Sequence, residues 1–286
     1  MVKRVEKKNI PMRFSLVLAT KGRTTEVKYF LRSLQDQKEG LEVIIIDQND
    51  DDRLQQIIKP FQKSLKIVHL TSKPGLSRSR NLGIREASGD IIAFPDDDCE
   101  YLPDTLTNVA SFFESHPGAS GVSGRTVDRS GANSAGKFGD REEEITRSNI
   151  WRSHNSVGLF LKIEVTAKVG DFDEQMGLGS YFSSSEETDY VIRSLKLGFK
   201  LYYDPSIKIY HPRVDILSQD KLAQRGLNYG RGVGRLLKKH PDFFAPRDFL
   251  KVFLGPIIRG IFSFRLRQLI FDLNLERGRI EGYLKS

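Results

Sequence analysis

The 286 residues, 38% hydrophobic and 29% charged, hold enough apolar material for one large core or two ordinary ones, which excludes a disordered chain. A single cysteine, Cys99, excludes an intrachain disulfide and a thiolate zinc cluster and suits a reducing compartment, so a cytoplasmic location is expected. The net charge of +8 is uneven: residues 214–286 hold 14 Lys and Arg against 7 Asp and Glu, which fits either a polyanionic partner or a solvated helical surface.

The opening "MVKRVEKKNIPMRF" has no apolar run of signal-peptide length. "RFSLVLAT" (13–20) is a continuous apolar run of strand length, followed by Val27, Phe30, Leu31 and Leu34 at helical spacing. The unit recurs as "EVIIID" before Leu54, Ile57, Ile58 and Phe61, and as "KIVHL" before "SRSRNLGIREA". It recurs once more as "IIAFP" before a helix start at Pro103 with Leu106, Val109, Phe112 and Phe113. Strands buried on both faces and alternating with helices predict a mostly parallel sheet in an α/β fold. Ligands of such sheets bind beyond the carboxyl ends of the strands, where Thr20, Asp47 and the acids Asp96, Asp97 and Asp98 all fall.

From about 119 to 211 the pattern changes to short strands, a polar loop at 126–150 and a helix from near Glu186 to a stop at Gly198. Beyond "LYYDPSIKIYHPR" the chain reads as helical and basic, so a catalytic unit over 1–213 and a helical extension over 214–286 are expected. The most apolar late stretch, "FLKVFLGPIIRGIFSF", is interrupted by Lys251 and Arg259, and no membrane-spanning helix is predicted. Its Phe249, Val252, Phe253, Ile257 and Ile261, together with the basic excess, predict peripheral contact with an anionic membrane; packing on the catalytic unit is the rival.

The chemistry concentrates in "IIAFPDDDCEY" (91–101), where three carboxylates repel one another at the end of a buried strand unless a cation or the solvent relieves them. No "GxGxxG" or "GxxxxGK[ST]" follows the first strand, so a divalent ion between carboxylates and a diphosphate is the economical way to hold phosphates. In extended backbone Asp96 and Asp98 point to one side and Asp97 to the other, which makes "DxD" the chelating subset.

In this light the chain resembles the family 2 glycosyltransferases, inverting enzymes of the GT-A fold that use nucleotide sugars. The landmarks run over residues 13–213 in order: "FSLVLATKGR", "EVIIIDQND", "GLSRSRNLGIREASGDIIAFPDDDCEY", "VGDFDEQM", "EETDY" and "YYDPSIKIYHP". The resemblance implies a GT-A-like α/β fold, an NDP-sugar donor and a glycan or lipid-linked acceptor, with no nucleic acid. It points to bacterial cell-surface polysaccharide synthesis at the inner face of the membrane.

Residue by residue, the resemblance implies Thr20, Arg23, Asp47, Arg80, Asp96 and Asp97 as donor-binding. Asp98, with Asp96 and His211, is implied at a Mg2+ or Mn2+ ion. Asp47 also suits a helix cap, Arg80 a surface ion pair and His211 a strand position.

Inverting transfer needs one general base. The family pattern aligns Glu187 with the catalytic carboxylate, and Asp189 and Glu186 stay open as alternatives; on a helix Glu186 and Asp189 share a face and Glu187 is turned about 100° away. Acids at a helix start also suit the helix dipole. Trp151, His154 and Asn155 close the polar loop as acceptor-site candidates, since aromatic faces stack on sugars; loop packing is the alternative for Trp151.

Two departures stand out: Cys99 where a further acid is frequent, and "DQND" where "DDGS" is. A sugar nucleotidyltransferase is the rival enzyme class, but it would carry a Gly-rich phosphate loop where "ATKGRTTE" has one glycine. A basic nucleic-acid or membrane-binding module accounts for the late charge and leaves the ordered acids unexplained.

Overall fold

The computed structural model describes residues 12–213, 218–245, Val252, Gly255 and 266–286. The first half runs β1 (Arg13–Thr20), α1 (Thr25–Ser33), β2 (Gly40–Asp47), α2 (Gln55–Ile58), β3 (Lys66–Thr71), α3 (Leu76–Glu86), β4 (Ile91–Ala93), β5 (Glu100–Tyr101) and α4 (Thr105–Ser115). The second continues with β6 (Gly121–Val127), β7 (Glu143–Glu144), β8 (Leu159–Lys162), α5 (Ile163–Val169), α6 (Glu186–Lys196), β9 (Leu201–Tyr210), α7 (Gln219–Lys239) and α8 (Leu266–Leu284). The helix expected after β2 shrinks to the four residues of α2 because Pro60 cannot continue it.

One sheet carries the strands in the order β3-β2-β1-β4-β8-β6-β9-β5, with β7 also paired to β9. Strands β3, β2, β1 and β4 are parallel, as the alternation with helices predicts. The far half is mixed: β8 runs antiparallel to both β4 and β6, while β6 and β9 are parallel. A long loop rather than a helical crossover precedes β8, and such a connection lets the strand return in the opposite direction.

Alternate strand residues feed two cores. Phe14, Leu16, Leu18, Val43, Ile45, Ile91 and Ala93 pack on the α1 and α4 side. Val17, Ile44, Ile46, Ile92 and Phe94 pack on the other side with Tyr190, Val191 and Ile192 of α6. Leu236 and Leu237 of α7 and Phe244 belong to that second cluster, so the basic segment shares a core with the sheet. Val252 packs against the same cluster; Phe249, Phe253, Ile257 and Ile261 lie outside the described residues. Among the described residues no helix is long and apolar enough to cross a membrane.

Glycines explain how α7 and α8 approach so closely. A Cβ at Gly230 would overlap the Leu275 carbonyl oxygen, one at Gly234 the Arg279 carbonyl, and one at Gly282 the Arg231 carbonyl. On another side of α7, a Cβ at Gly232 would overlap Ser184. Gly230→Val should therefore separate the two helices and lower stability by about 2 kcal/mol or more, an overpacking cost without backbone relief. Thermal melting checks this: a melting point within about 1 °C of wild type would show that the helices do not pack in this way.

Candidate active site

Parallel register aligns the carboxyl ends of the central strands: Thr20 lies beside Asp47, Asp47 beside Thr71, and Ala19 bridges Asp96. The chain leaving β4 thus delivers its three acids to the level of the β1 and β2 ends. Asp97 accepts from Thr20 Oγ1 at 2.7 Å and from Arg23 Nη1 at 2.7 Å, and the same guanidinium nitrogen stands 2.6 Å from Asp98 Oδ2. Asp96 faces Arg80 Nη2 at 3.6 Å, and its side chain accepts no hydrogen bond among the described residues. Burial pushes the Asp96 carboxyl up to about 6; Arg80 pulls against this and the charge of Asp98 adds to it.

His211 follows β9, with Nε2 3.5 Å from Asp98 Oδ1 and Nδ1 2.7 Å from the Pro212 carbonyl. A carbonyl can only accept, so Nδ1 carries a hydrogen and Nε2 is the ring nitrogen turned toward Asp98. One donor atom each from Asp96, Asp98 and His211 lies within 4.8 Å of the others. Two crowded carboxylates and an imidazole nitrogen held by the ring's outer hydrogen bond fit a divalent cation.

The other wall is α6. It starts after Ser185, which has φ 67°, the left-handed conformation, and is the only non-glycine residue with positive φ among those described. Such a residue costs about 1–3 kcal/mol and must be held from outside. The neighbouring Ser184 donates to the Tyr229 carbonyl of α7 at 3.0 Å, and Gly232 leaves no room between them.

Glu186 accepts from Arg80 Nη1 at 2.9 Å. Among the described residues Glu187 has no such cation bonded to it: burial raises its carboxyl to about 8, the negative charge of Glu186 adds to the rise, and its own backbone N–H and the charge of Arg80 oppose it. Asp189 is not brought to this cluster. Its carboxylate is buried beneath Arg193 Nε (2.9 Å), Lys239 Nζ (2.9 Å) and His240 Nε2 (2.8 Å). Burial works against that charge, yet the three partners hold Asp189 well below the usual carboxylate range. Glu186 and Asp189, expected on one helix face, serve different partners because the side chain of Glu186 turns to Arg80 and that of Asp189 to α7.

α3 carries a buried polar row that the sequence pattern contained without revealing its partners. Ser77 Oγ donates to the Met176 carbonyl at 2.7 Å, and Asn81 both donates to the Phe172 carbonyl (3.0 Å) and accepts from its N–H (2.7 Å). These bonds fasten the "GDFDEQM" loop beside Arg80.

"DQND" acts as a pair of latches. Asn49 accepts from the Gly22 N–H at 2.7 Å and donates to Asp47 Oδ1 at 2.7 Å, while Gln48 accepts from the Gly75 N–H at 2.7 Å. His69 Nε2 lies 3.1 Å from the other Asp47 oxygen. Asn49 and His69 were not singled out from sequence; the polar run after β2 was the available signal.

Of the acceptor candidates, Trp151 stacks on Phe244 at 5.7 Å, and Asn155 braces a turn through the Gly124 carbonyl and the Gly158 N–H. His154 is held neutral by burial, its pKa pushed down to about 4, with Nε2 3.1 Å from Thr188 Oγ1 on α6. Through Thr188, His154 is linked to the first turn of α6.

A mixed sheet whose parallel half ends in paired acids, closed by a late histidine strand, has the GT-A architecture of nucleotide-diphospho-sugar transferases. The glycosyl transferase family 2 profile matches residues 15–167, and the chain belongs to that family. By sequence it is 29% identical over 150 residues to the poly(ribitol-phosphate) beta-N-acetylglucosaminyltransferase TarS of Staphylococcus aureus, covering 48% of this chain and 25% of TarS. It is 24% identical over 268 residues to a Methanococcus voltae dolichyl N-acetyl-alpha-D-glucosaminyl phosphate 3-beta-D-2,3-diacetamido-2,3-dideoxy-beta-D-glucuronosyltransferase, covering 84% of this chain and 80% of that enzyme.

In structure it resembles residues 1–349 of S. aureus TarS, with TM-score 0.62, 14% identity and coverage of 96% of this chain and 92% of that one. It also resembles the Pyrobaculum calidifontis mannosyltransferase PcManGT in complex with GDP-Man and Mn2+, with TM-score 0.64, 13% identity and coverage of 96% and 88%.

The Asp189 cluster yields a stability prediction. Asp189→Asn leaves cations packed around an uncharged group and should cost about 3 kcal/mol. In the wild type the folded carboxyl titrates below its unfolded value of about 3.9, so its contribution is complete above that pH and is lost as pH falls through the lower folded value. Urea midpoints measured from about pH 7 to about pH 3 should fall less steeply in Asp189→Asn; identical slopes would show that the cluster carries no linkage.

Proposed function

We infer that the protein transfers a sugar, with inversion, from a nucleotide diphosphate sugar to a glycan or lipid-linked acceptor in cell-surface polysaccharide synthesis, and that a divalent cation is required. One observation carries the reading. Asp96, Asp98 and His211 converge where the strands end, and the uncompensated Glu187 is electrostatically coupled to Asp96 and Arg80. The relatives support the substrate classes: TarS is named for a poly(ribitol-phosphate) acceptor and the M. voltae enzyme for dolichyl N-acetyl-alpha-D-glucosaminyl phosphate. TarS with UDP-GlcNAc and PcManGT with GDP-Man and Mn2+ support a nucleotide sugar and a hard cation.

In this reading Asp98, Asp96 and His211 would hold Mg2+ or Mn2+, and such an ion would supply positive charge to stabilise a departing diphosphate. Thr20, Arg23 and Asp97 form one linked set beside the donor, and Asp47, positioned by Asn49 and His69, faces the base. Arg80 adds a fixed positive charge behind Asp96. Glu187 takes the proton of the acceptor hydroxyl as its oxygen bonds to the anomeric carbon and the bond to the diphosphate oxygen breaks. A carboxyl raised to about 8 is a stronger base than a solvated one but is largely protonated at neutral pH, so its ionised fraction, and with it the rate, should grow as pH rises toward 8.

A nucleotide-sugar panel screened for cation-dependent thermal stabilisation tests the donor class, because a ligand that binds only the folded state raises its melting point. No shift with any nucleotide sugar plus Mn2+ would overturn it. Calorimetry with UDP or GDP and Mn2+ should show affinity reduced about 100-fold in Asp98→Asn and largely kept in Asp97→Asn. Equal affinity for wild type and Asp98→Asn removes the cation assignment.

For the base, Glu187→Gln should lower kcat by about 10² to 10⁴ while donor and cation affinity stay near wild type. Should Asp189→Asn give that signature in a protein of unchanged melting point, and Glu187→Gln remain active, the proton goes elsewhere.

A further inference from the structure

α8 has two contrasting sides. Leu275, Gly278 and Gly282 are buried, the two glycines against α7. Opposite them Leu266, Leu273 and Ile280 are exposed at seven-residue spacing, and Leu284 is exposed one turn further on. With 3.6 residues per turn these four leucine and isoleucine side chains form one stripe along the outer face. Up to Lys285, the other exposed residues of this stretch are Arg267, Arg277 and Lys285, all basic.

The acids of α8 are withdrawn from that face. Asp272 and Glu276 are buried, and the Glu281 carboxylate is held by Arg231 at 2.8 Å and Arg277 at 3.0 Å. An outer surface made mainly of large apolar and basic side chains, with half-buried Asn274 and Glu281 beside them, on a helix that cannot cross a bilayer, has the composition of a helix lying in a membrane interface.

We propose that the outer face of α8 docks on an anionic lipid surface and so holds the catalytic cleft against the membrane. A second copy of the chain fits this face less well, because Arg267, Arg277 and Lys285 outnumber the one acid beside them, Glu281, and a symmetric seam would set that net positive charge against itself. Lipid phosphates match the basic flank while acyl chains take the leucines.

The placement also reaches the site. At the C-terminal end of α8, Lys285 Nζ lies 5.1 Å from the Tyr181 ring, and Arg231 of α7 lies 4.5 Å from it. Tyr181 is exposed and belongs to the loop that leads into Glu186 and Glu187. The lipid contact therefore ends beside the segment that carries the proposed base, which is where a lipid-linked acceptor would arrive. That use rests on the glycosyltransferase reading; the docking itself does not.

Flotation of the full chain with vesicles of phosphatidylcholine alone, or of phosphatidylcholine with phosphatidylglycerol, decides it. The wild type should float with the anionic vesicles at low salt and be released by high salt, since each basic residue near the surface contributes about fivefold in affinity. Leu273→Glu combined with Ile280→Glu should weaken vesicle binding about 100-fold, and Arg277→Gln alone about fivefold. Binding of UDP or GDP with Mn2+, measured on the same variants, should be unchanged, and this separates loss of docking from failure of the donor reading.

Equal recovery of wild type with neutral and anionic vesicles, or flotation unaffected by the double variant, overturns the proposal. So does a dimer in solution that the double variant dissociates, because a second copy then covers the face.

Discussion

A guanidinium stays charged under any condition a folded protein meets, and that of Arg80 sits in the middle of this one with 1% of its surface exposed. Burying it requires an acid on each side. Glu186 accepts from Nη1 at 2.9 Å and Asp96 stands 3.6 Å from Nη2, while the rings of Phe94 and Phe172 lie 5.8 and 5.6 Å from the charge centre. These partners come from the end of β4, the loop before α6 and α6 itself, so one buried cation makes segments 106 residues apart converge. Nη2 has no hydrogen-bond partner among the described residues, which leaves donor capacity directed at the acid cluster. In a low-dielectric setting an unsatisfied donor is costly, and a bound anion near Asp96 would satisfy it.

The order of strands and helices was legible because buried strands and amphipathic helices differ in period, and because parallel sheets gather their carboxyl ends on one edge. The pairing of Asp96 with Asp98 was expected from extended backbone, but Asp97 and Asp98 lie in a turn closed by the Cys99 N–H on the Asp96 carbonyl at 3.3 Å, so strand alternation is not what brings the two acids together. Asp97 bonds to Thr20 and Arg23, Asp98 shares that same Arg23 nitrogen at 2.6 Å, and the turn still brings one oxygen each of Asp96 and Asp98 near His211. The antiparallel return of β8 had no local signature, since it depends on where a long loop delivers the chain. The surroundings of Asp189 were equally hidden: Lys239 and His240 lie some fifty residues further along, and no helical period announces them. Trp151 had an aromatic partner of the same kind in Phe244. "DQND" read as a departure from the family pattern, and its two amides prove to fasten the loops on either side of β2.

The change in composition near residue 213 is not a break in packing. α7 presses Gly232 against Ser184, brings Lys239 to Asp189 and brings Arg235 to Asp173 at 2.9 Å, and Leu236 and Leu237 enter the core beneath α6. A left-handed Ser185 at the start of α6 is sustained only by such surroundings. The helical extension thus acts on the cleft by fixing the helix that bears its acids, whatever else its outer surface does.

Three acids within four residues would be interchangeable in an isolated helix. Here the partners differentiate them. Glu186 is paired with the cation it helps bury, and Asp189 is committed to three basic groups that hold it ionised, so taking up a proton would cost it those bonds. Among the described residues Glu187 has no cation of its own, and it sits beside the negative charge of Glu186, which is the environment that strengthens a carboxylate's hold on a proton. The pairing of Glu186 with Arg80 therefore does two things at once: it makes the buried guanidinium tolerable, and it keeps a fixed negative charge next to Glu187. Proton affinity at this helix is set less by the residue types in "EETDY" than by which of them has already been given a partner.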